Sequence, residues 1–70
     1  MFVDINGSPF SKFSIQSFHT KDEVVDGVTL YNIVYVLISG VMLIETFNSA
    51  SDRDDKLNSL WYVFGYYINF

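Results

Sequence analysis

The chain has 70 residues, of which 50% are apolar, 19% aromatic and 17% charged, with no cysteine and a single histidine. This composition excludes an intrinsically disordered chain, which would be richer in charge and poorer in aromatic side chains. The absence of cysteine excludes disulfides, thiolate catalysis and cysteine-ligated zinc, and His19 cannot form a metal cluster by itself. We therefore expect a single domain over residues 1–70 that is not an enzyme and takes no cofactor.

The charge balance indicates what kind of partner the chain can bind. Eight acidic and four basic residues give a net charge of −4. Nucleic-acid binding depends on Lys and Arg, so we expect no direct contact with nucleic acid. A partner protein with a basic surface would be attracted instead. The simpler interpretation of the excess acid is that it keeps a small domain soluble.

The sequence favours a cytoplasmic location over a membrane one. Residues 1–7 have no basic start followed by an apolar run, so we expect no signal peptide and a cytoplasmic protein. Residues 28–44 carry no charge, and their length is close to that of a membrane-spanning helix. Polar residues interrupt this run, and acids (Asp26 and Glu45) rather than bases flank it. A small membrane protein is therefore the less favoured alternative.

The first part of the chain predicts a hairpin. Phe2–Ile5 has the pattern of a short strand, and Asn6-Gly7 accepts the positive φ angles of a tight turn. Residues 10–19 predict the returning strand, with Phe13 and Ile15 on one of its sides.

The middle of the chain predicts a loop and a second hairpin. Residues 20–27 are polar and end in the turn signal Asp26-Gly27. Residues 28–38 are apolar on both sides, as expected for a central strand, and residues 41–47 return after Ser39-Gly40. A two-residue turn would pair Ile38 with Val41, Val36 with Leu43, and Val34 with Glu45.

A change from period two to period 3.6 after Asn48 predicts a C-terminal helix. Ser49 is a good N-cap, and Asp52 three residues later resembles a capping box. The apolar stripe of this helix comprises Leu57, Leu60, Trp61 and Phe64, and Gly65 is a candidate C-cap. The predicted fold is therefore α+β: a small antiparallel sheet of about four strands, followed by one helix packed on one face.

Two candidate chemical sites are better explained as ordinary structure. Residues 52–55 (Asp-Arg-Asp-Asp) lack the ligand spacing, central Gly and distal Glu of a calcium loop, so we expect a helix start and no metal. His19 has no Ser or Cys nucleophile beside it in the sequence, so we expect no catalytic residues.

Aromatic residues near the end of the chain are the main indication of function. One helix buries one stripe, so Trp61 and Phe64 are most simply core residues and the other aromatics exceed what the core can hold. Protein interfaces are enriched in exposed Tyr and Trp. We predict partner-binding residues at Trp61, Tyr62, Tyr66, Tyr67 and Phe70, with Asp52, Asp54 and Asp55 as charge partners.

Three segments give the chain a resemblance to small proteins encoded by phages and mobile elements of Gram-positive bacteria. They are Ile5-Asn6-Gly7, the strand Tyr31-Asn32-Ile33-Val34-Tyr35, and Glu45-Thr46-Phe47-Asn48-Ser49 leading into an acidic helix. Such proteins include inhibitors of host defence, among them anti-CRISPR proteins, which act by binding. The resemblance implies a phage-type inhibitor that occludes a host protein. The alternative is a homo-oligomeric structural or scaffolding subunit.

Overall fold

The computed structural model of the protein describes residues 1–65, in which six strands precede one α-helix. The elements are β1 (Phe2–Ile5), β2 (Ser8–Ser11), a 3-10 turn (Lys12–Ser14), β3 (Ile15–Thr20), β4 (Glu23–Val25), β5 (Val28–Leu37), β6 (Met42–Phe47) and α1 (Ala50–Phe64). This confirms the predicted α+β class, with six strands in place of about four.

The N-terminal hairpin forms as predicted and then departs from the expected strand. β1 and β2 are antiparallel, and Asn6 and Gly7 have φ angles of 53° and 83°, which suit a tight two-residue turn. The predicted strand over residues 10–19 is interrupted at Lys12–Ser14, so Phe13 is exposed and does not share a buried side with Ile15. The cause is local: the Ser11 hydroxyl accepts the Phe13 N–H, a bond that competes with strand pairing.

The predicted loop over residues 20–27 is largely strand. β3 and β4 pair with successive parts of β5 in one antiparallel register, and the Lys21 N–H donates to the Asn32 carbonyl between them. β3 and β4 thus act as one long strand, which turns into β5 at Asp26-Gly27. All three residues of β4 are exposed, so no burial pattern distinguishes this strand from a loop.

The hairpin formed by β5 and β6 is confirmed, but its predicted register is wrong by one residue. The observed pairs include Ile33 with Glu45, Val34 with Ile44, Tyr35 with Leu43, and Val36 with Met42. The connection has three residues because Gly40 has a φ of 91° and its N–H donates to the Leu37 carbonyl. Since a shift of one residue exchanges the two faces of a strand, Glu45 lies on the helix-facing side of the sheet.

Helix α1 covers one face of the four-stranded sheet and closes the core. The Ser49 hydroxyl accepts the Asp52 N–H at 3.1 Å, which confirms the predicted N-cap, and Gly65 caps the C-terminus. The buried core comprises Val3, Ile5, Ile15, Ile33, Tyr35 and Leu60, with Leu57 and Phe64 packed against it. Trp61 lies edge-on to Phe18, with ring centroids 5.2 Å apart. The predicted apolar stripe of the helix therefore faces the sheet.

The uncharged run over residues 28–44 does not form a helix. It comprises β5, the turn that follows it and the first half of β6. Within residues 1–65, no helix has the length and apolar character needed to cross a membrane. The alternative of a membrane helix in this segment is therefore wrong.

Candidate protein-binding surfaces

The most buried acid of the described residues joins three parts of the fold. Glu45 accepts hydrogen bonds from the Tyr35 hydroxyl at 2.7 Å and from the Asn6 backbone N–H at 3.2 Å. Lys56 Nζ of α1 lies 3.3 Å from Glu45 Oε1 and also donates to the Asp4 carbonyl. Burial, and then the bond to Glu45, raise the pKa of Tyr35 well above its ordinary value. These contacts tie the N-terminal hairpin, the sheet and the helix together, so we assign Glu45 a structural role.

The two bases of α1 turn toward the sheet. Arg53 pairs with Asp22 beside β4 and lies over the Tyr31 ring, and only 13% of its side chain is exposed. Lys56 is held by Glu45 in the same way. The outward side of the helix is consequently left with acidic and polar residues.

Several of the predicted partner-binding residues share that outward side, which we call the acidic helix face. Asp52, Asp55 and Tyr62 are spaced by three and seven residues, which places them on one stripe of an α-helix, and all three are exposed. Tyr62 is 76% exposed. Asp54 is also exposed and accepts a hydrogen bond from Arg53 Nε at 2.9 Å.

Of the other predicted aromatic anchors, Trp61 is the one that lies within the described residues. Trp61 is partly buried against Phe18, so its main contact is with the sheet. Tyr66, Tyr67 and Phe70 lie outside the described residues, and their predicted role stays a prediction.

A second surface lies on the side of the sheet that faces away from α1. Side chains alternate along a strand, so Ile33 and Tyr35 face the helix while Val34 and Val36 face away from it. Val34 is buried but does not belong to the helix-side core. Its partner on β6, Ile44, is 56% exposed, and the neighbouring Met42 is 60% exposed. We call this surface the open sheet face; its exposed part comprises Met42 and Ile44, which lie beside the half-buried Val36 and the buried Val34.

The open sheet face continues toward the β4–β5 turn. A polar pair interrupts it, in which the Thr46 hydroxyl donates to Asn32 Oδ1 at 2.7 Å. Beyond this pair, Val25 and Val28 are opposite each other and are 47% and 59% exposed. Exposed apolar residues therefore lie toward both ends of this face, on the two sides of the polar pair.

Sequence reasoning missed the open sheet face for a physical reason. Residues 28–38 are apolar on both sides, a pattern typical of a strand buried between two layers. The structure supplies one layer, formed by α1 and the N-terminal hairpin, within residues 1–65. The sequence signal for an exposed apolar surface was therefore a strand with two apolar sides in a chain that has one helix to cover it.

Within the part of the chain that the structure describes, no three acidic or histidine side chains are grouped so as to hold a metal ion. No protein-family model, curated protein or solved structure matches the chain. The surfaces themselves are therefore the basis for a functional proposal.

Proposed function

We propose that this chain is a non-enzymatic protein-binding module whose binding surface is the open sheet face. The observation that carries the proposal is the exposure of Met42 and Ile44, at 60% and 56%, beside Val34 and Val36. Adjacent exposed apolar side chains are typical of protein interaction sites, whereas apolar residues scattered singly are ordinary surface.

The layer structure of the fold supports the proposal. A sheet that is apolar on both faces gains stability when both faces are covered, and α1 covers one of them. Covering the second face removes further apolar surface from water, at about 25 cal/mol per Å² before the costs of association. Binding at this face thus completes the second layer of the sheet.

The acidic helix face supplies a second feature of the module. It lies on the opposite side of the sheet, and its acids Asp52, Asp54 and Asp55 are exposed. Charges of one sign on a surface steer oppositely charged partners and raise association rates. A basic partner would therefore approach the helix side of the molecule. Inhibition of a host defence protein by a phage-type protein is one form of this function and stays a prediction from the sequence resemblance.

Capture experiments with matched variants test the proposed function. The tagged chain is incubated with a lysate of a Gram-positive bacterium and with an untagged copy of itself. The face variant is Met42→Lys/Ile44→Lys. The control is Phe2→Lys/Val24→Lys, which alters two strand residues that are each 70% exposed and lie outside the open sheet face. Both variants add the same charge, so a difference between them reports the position of the substitutions.

The expected result is a protein captured by the native chain and the control but lost with the face variant. Circular dichroism and the urea midpoint confirm that both variants are folded. Capture that persists in the face variant would contradict the open sheet face as the binding surface. Loss in both variants would assign the effect to charge instead.

A further inference from the structure

We infer that the occupant of the open sheet face is a second copy of this chain, which gives a two-fold symmetric dimer with the two sheets stacked. The inference rests on the proposed function, since it names the partner of the same surface. Its support comes from the shape, the charge and the size of that surface.

The shape of the surface suits a second sheet. Antiparallel sheets pack face to face at about 10 Å, with strand directions within about 30° of each other. The centre of the open sheet face consists of β-branched residues and one Met on two adjacent strands, β5 and β6. A two-fold axis places the same patch of each copy at the contact, so the apolar surface of one sheet packs against the identical apolar surface of the other. Each copy supplies the layer that the other copy lacks.

Charge favours a second copy over a basic partner at this surface. The four-stranded sheet carries two acids within its strands, Glu23 and Glu45, and Glu45 faces the helix. Alternation places Glu23 on the open side together with Lys21, so the charges there are of opposite sign. The excess acid of the chain is concentrated elsewhere, most of all on the acidic helix face.

The separation of the acids from the open sheet face favours a second copy over a basic partner at that face. Two copies can approach through the open sheet face while their acidic helices point away from each other, so the net charge of −4 opposes contact only weakly. A basic partner, in contrast, would gain little electrostatic energy at the apolar centre of the face.

The area is sufficient for a weak dimer. With about 3.3 Å per residue and about 4.8 Å between strands, β5, the shorter β6 and the β3–β4 edge present a projected area of roughly 400 Å². Two copies would bury about 800 Å², which is smaller than a standard specific interface and typical of a weak, transient one. The association is therefore expected to depend on concentration, with monomer and dimer in exchange.

Sedimentation velocity of the full chain, from about 10 µM to about 1 mM, measures this association. The weight-average mass is expected to rise from 8.1 kDa toward twice that value. The variant Met42→Lys/Ile44→Lys should remain at the mass of the monomer over the whole range. The control Phe2→Lys/Val24→Lys should dimerise like the native chain. If the double Lys variant is not folded, Ile44→Thr keeps a β-branched residue at the site and should weaken dimerisation at least threefold.

A dimer that persists in the face variant would overturn the inference, because the contact would then involve another surface. A chain that stays monomeric at about 1 mM would overturn it as well. These failures differ from failure of the proposed function: a monomeric chain that captures a different protein through Met42 and Ile44 keeps the binding surface and loses only the second copy. If neither association nor capture depends on these residues, both proposals fail.

Discussion

Glu45 shows how one residue can set the arrangement of the whole fold. The residue is 9% exposed, and its carboxylate contacts Tyr35 on the adjacent strand, Asn6 in the N-terminal turn and Lys56 on the helix. A buried acid costs solvation energy, which is offset only if its oxygens are hydrogen-bonded and its charge is paired. All of these conditions are met, so Glu45 selects the arrangement in which hairpin, sheet and helix meet at one point.

Removing the Glu45 carboxylate is therefore expected to destabilise the protein. Glu45→Ala leaves the Tyr35 hydroxyl without its acceptor and the Lys56 ammonium without its charge partner, and it should lower the free energy of unfolding by about 2–4 kcal/mol. Glu45→Gln keeps an acceptor for Tyr35 and should cost about half as much. Urea unfolding measures both values, with the exposed Asp55→Ala as the control, expected to change stability by less than about 0.5 kcal/mol. Equal stability of Glu45→Ala and Asp55→Ala would contradict the structural role of Glu45.

The pKa of Tyr35 makes a separate prediction about alkaline pH. Burial and the bond to Glu45 raise this pKa, so the folded chain holds the phenolic proton more tightly than the unfolded chain. The corresponding stability is complete below the unfolded pKa of about 10 and is lost as the pH rises beyond it. Urea midpoints measured above pH 10 should fall less steeply in Tyr35→Phe than in the native chain or in the surface control Tyr62→Phe. Parallel curves for all three proteins would contradict this assignment.

At the scale of elements, the features that were predicted correctly are those that depend on residues close together in the sequence. The Asn6-Gly7 turn, the Ser49 cap and the stripe containing Leu60 depend on neighbours in sequence, and they were predicted. β4 was not predicted, because it is exposed and is held by backbone pairing with β5. The contact between Glu45 and Asn6 spans 39 positions, so no local pattern indicates it.

Of the two surfaces, one follows from a local sequence pattern and the other depends on the whole fold. The acidic helix face is a local, helical pattern that contains Asp52, Asp55 and Tyr62, and the partner-binding role predicted for these residues stays a prediction. The exposure of Met42 and Ile44 depends instead on the number of layers that the rest of the chain can supply. Register contributes too: with the predicted two-residue turn, Glu45 would have lain beside Val34 and interrupted the apolar surface.

The cap of α1 can be tested independently of the tertiary contacts. The Ser49 hydroxyl satisfies the Asp52 N–H, which has no acceptor within the first turn of the helix. Ser49→Ala should therefore lower the free energy of unfolding by about 1 kcal/mol, whereas Ser49→Asp should retain most of it. The matched control is Ser51→Ala, two residues later in the first turn of the same helix, where the side chain is exposed. A similar loss in both alanine variants would show that the cap contributes nothing specific.

At the scale of the whole molecule, the fold separates two kinds of surface. Arg53 and Lys56 are drawn toward Asp22 and Glu45, which leaves the outer side of α1 acidic, while the opposite side of the sheet is apolar. In the proposed dimer, the apolar surfaces meet in the middle and the acidic helices lie on the outside. Such an assembly would present two identical acidic surfaces to a further partner.

Neutralising the acidic helix face distinguishes self-association through the open sheet face from binding of a basic partner at the helix. Asp52→Asn/Asp54→Asn/Asp55→Asn replaces three charges and changes the net charge from −4 to −1. Between copies, the acids contribute only repulsion, so this variant should self-associate at least as strongly as the native chain at about 0.05 M salt, where screening is weak. Association with a basic partner should instead become slower and less dependent on salt, because long-range attraction is lost. Sedimentation velocity and stopped-flow binding measure the two effects. Weaker self-association of the variant would place the acids inside the contact between copies, since removal of an external repulsion cannot weaken a dimer.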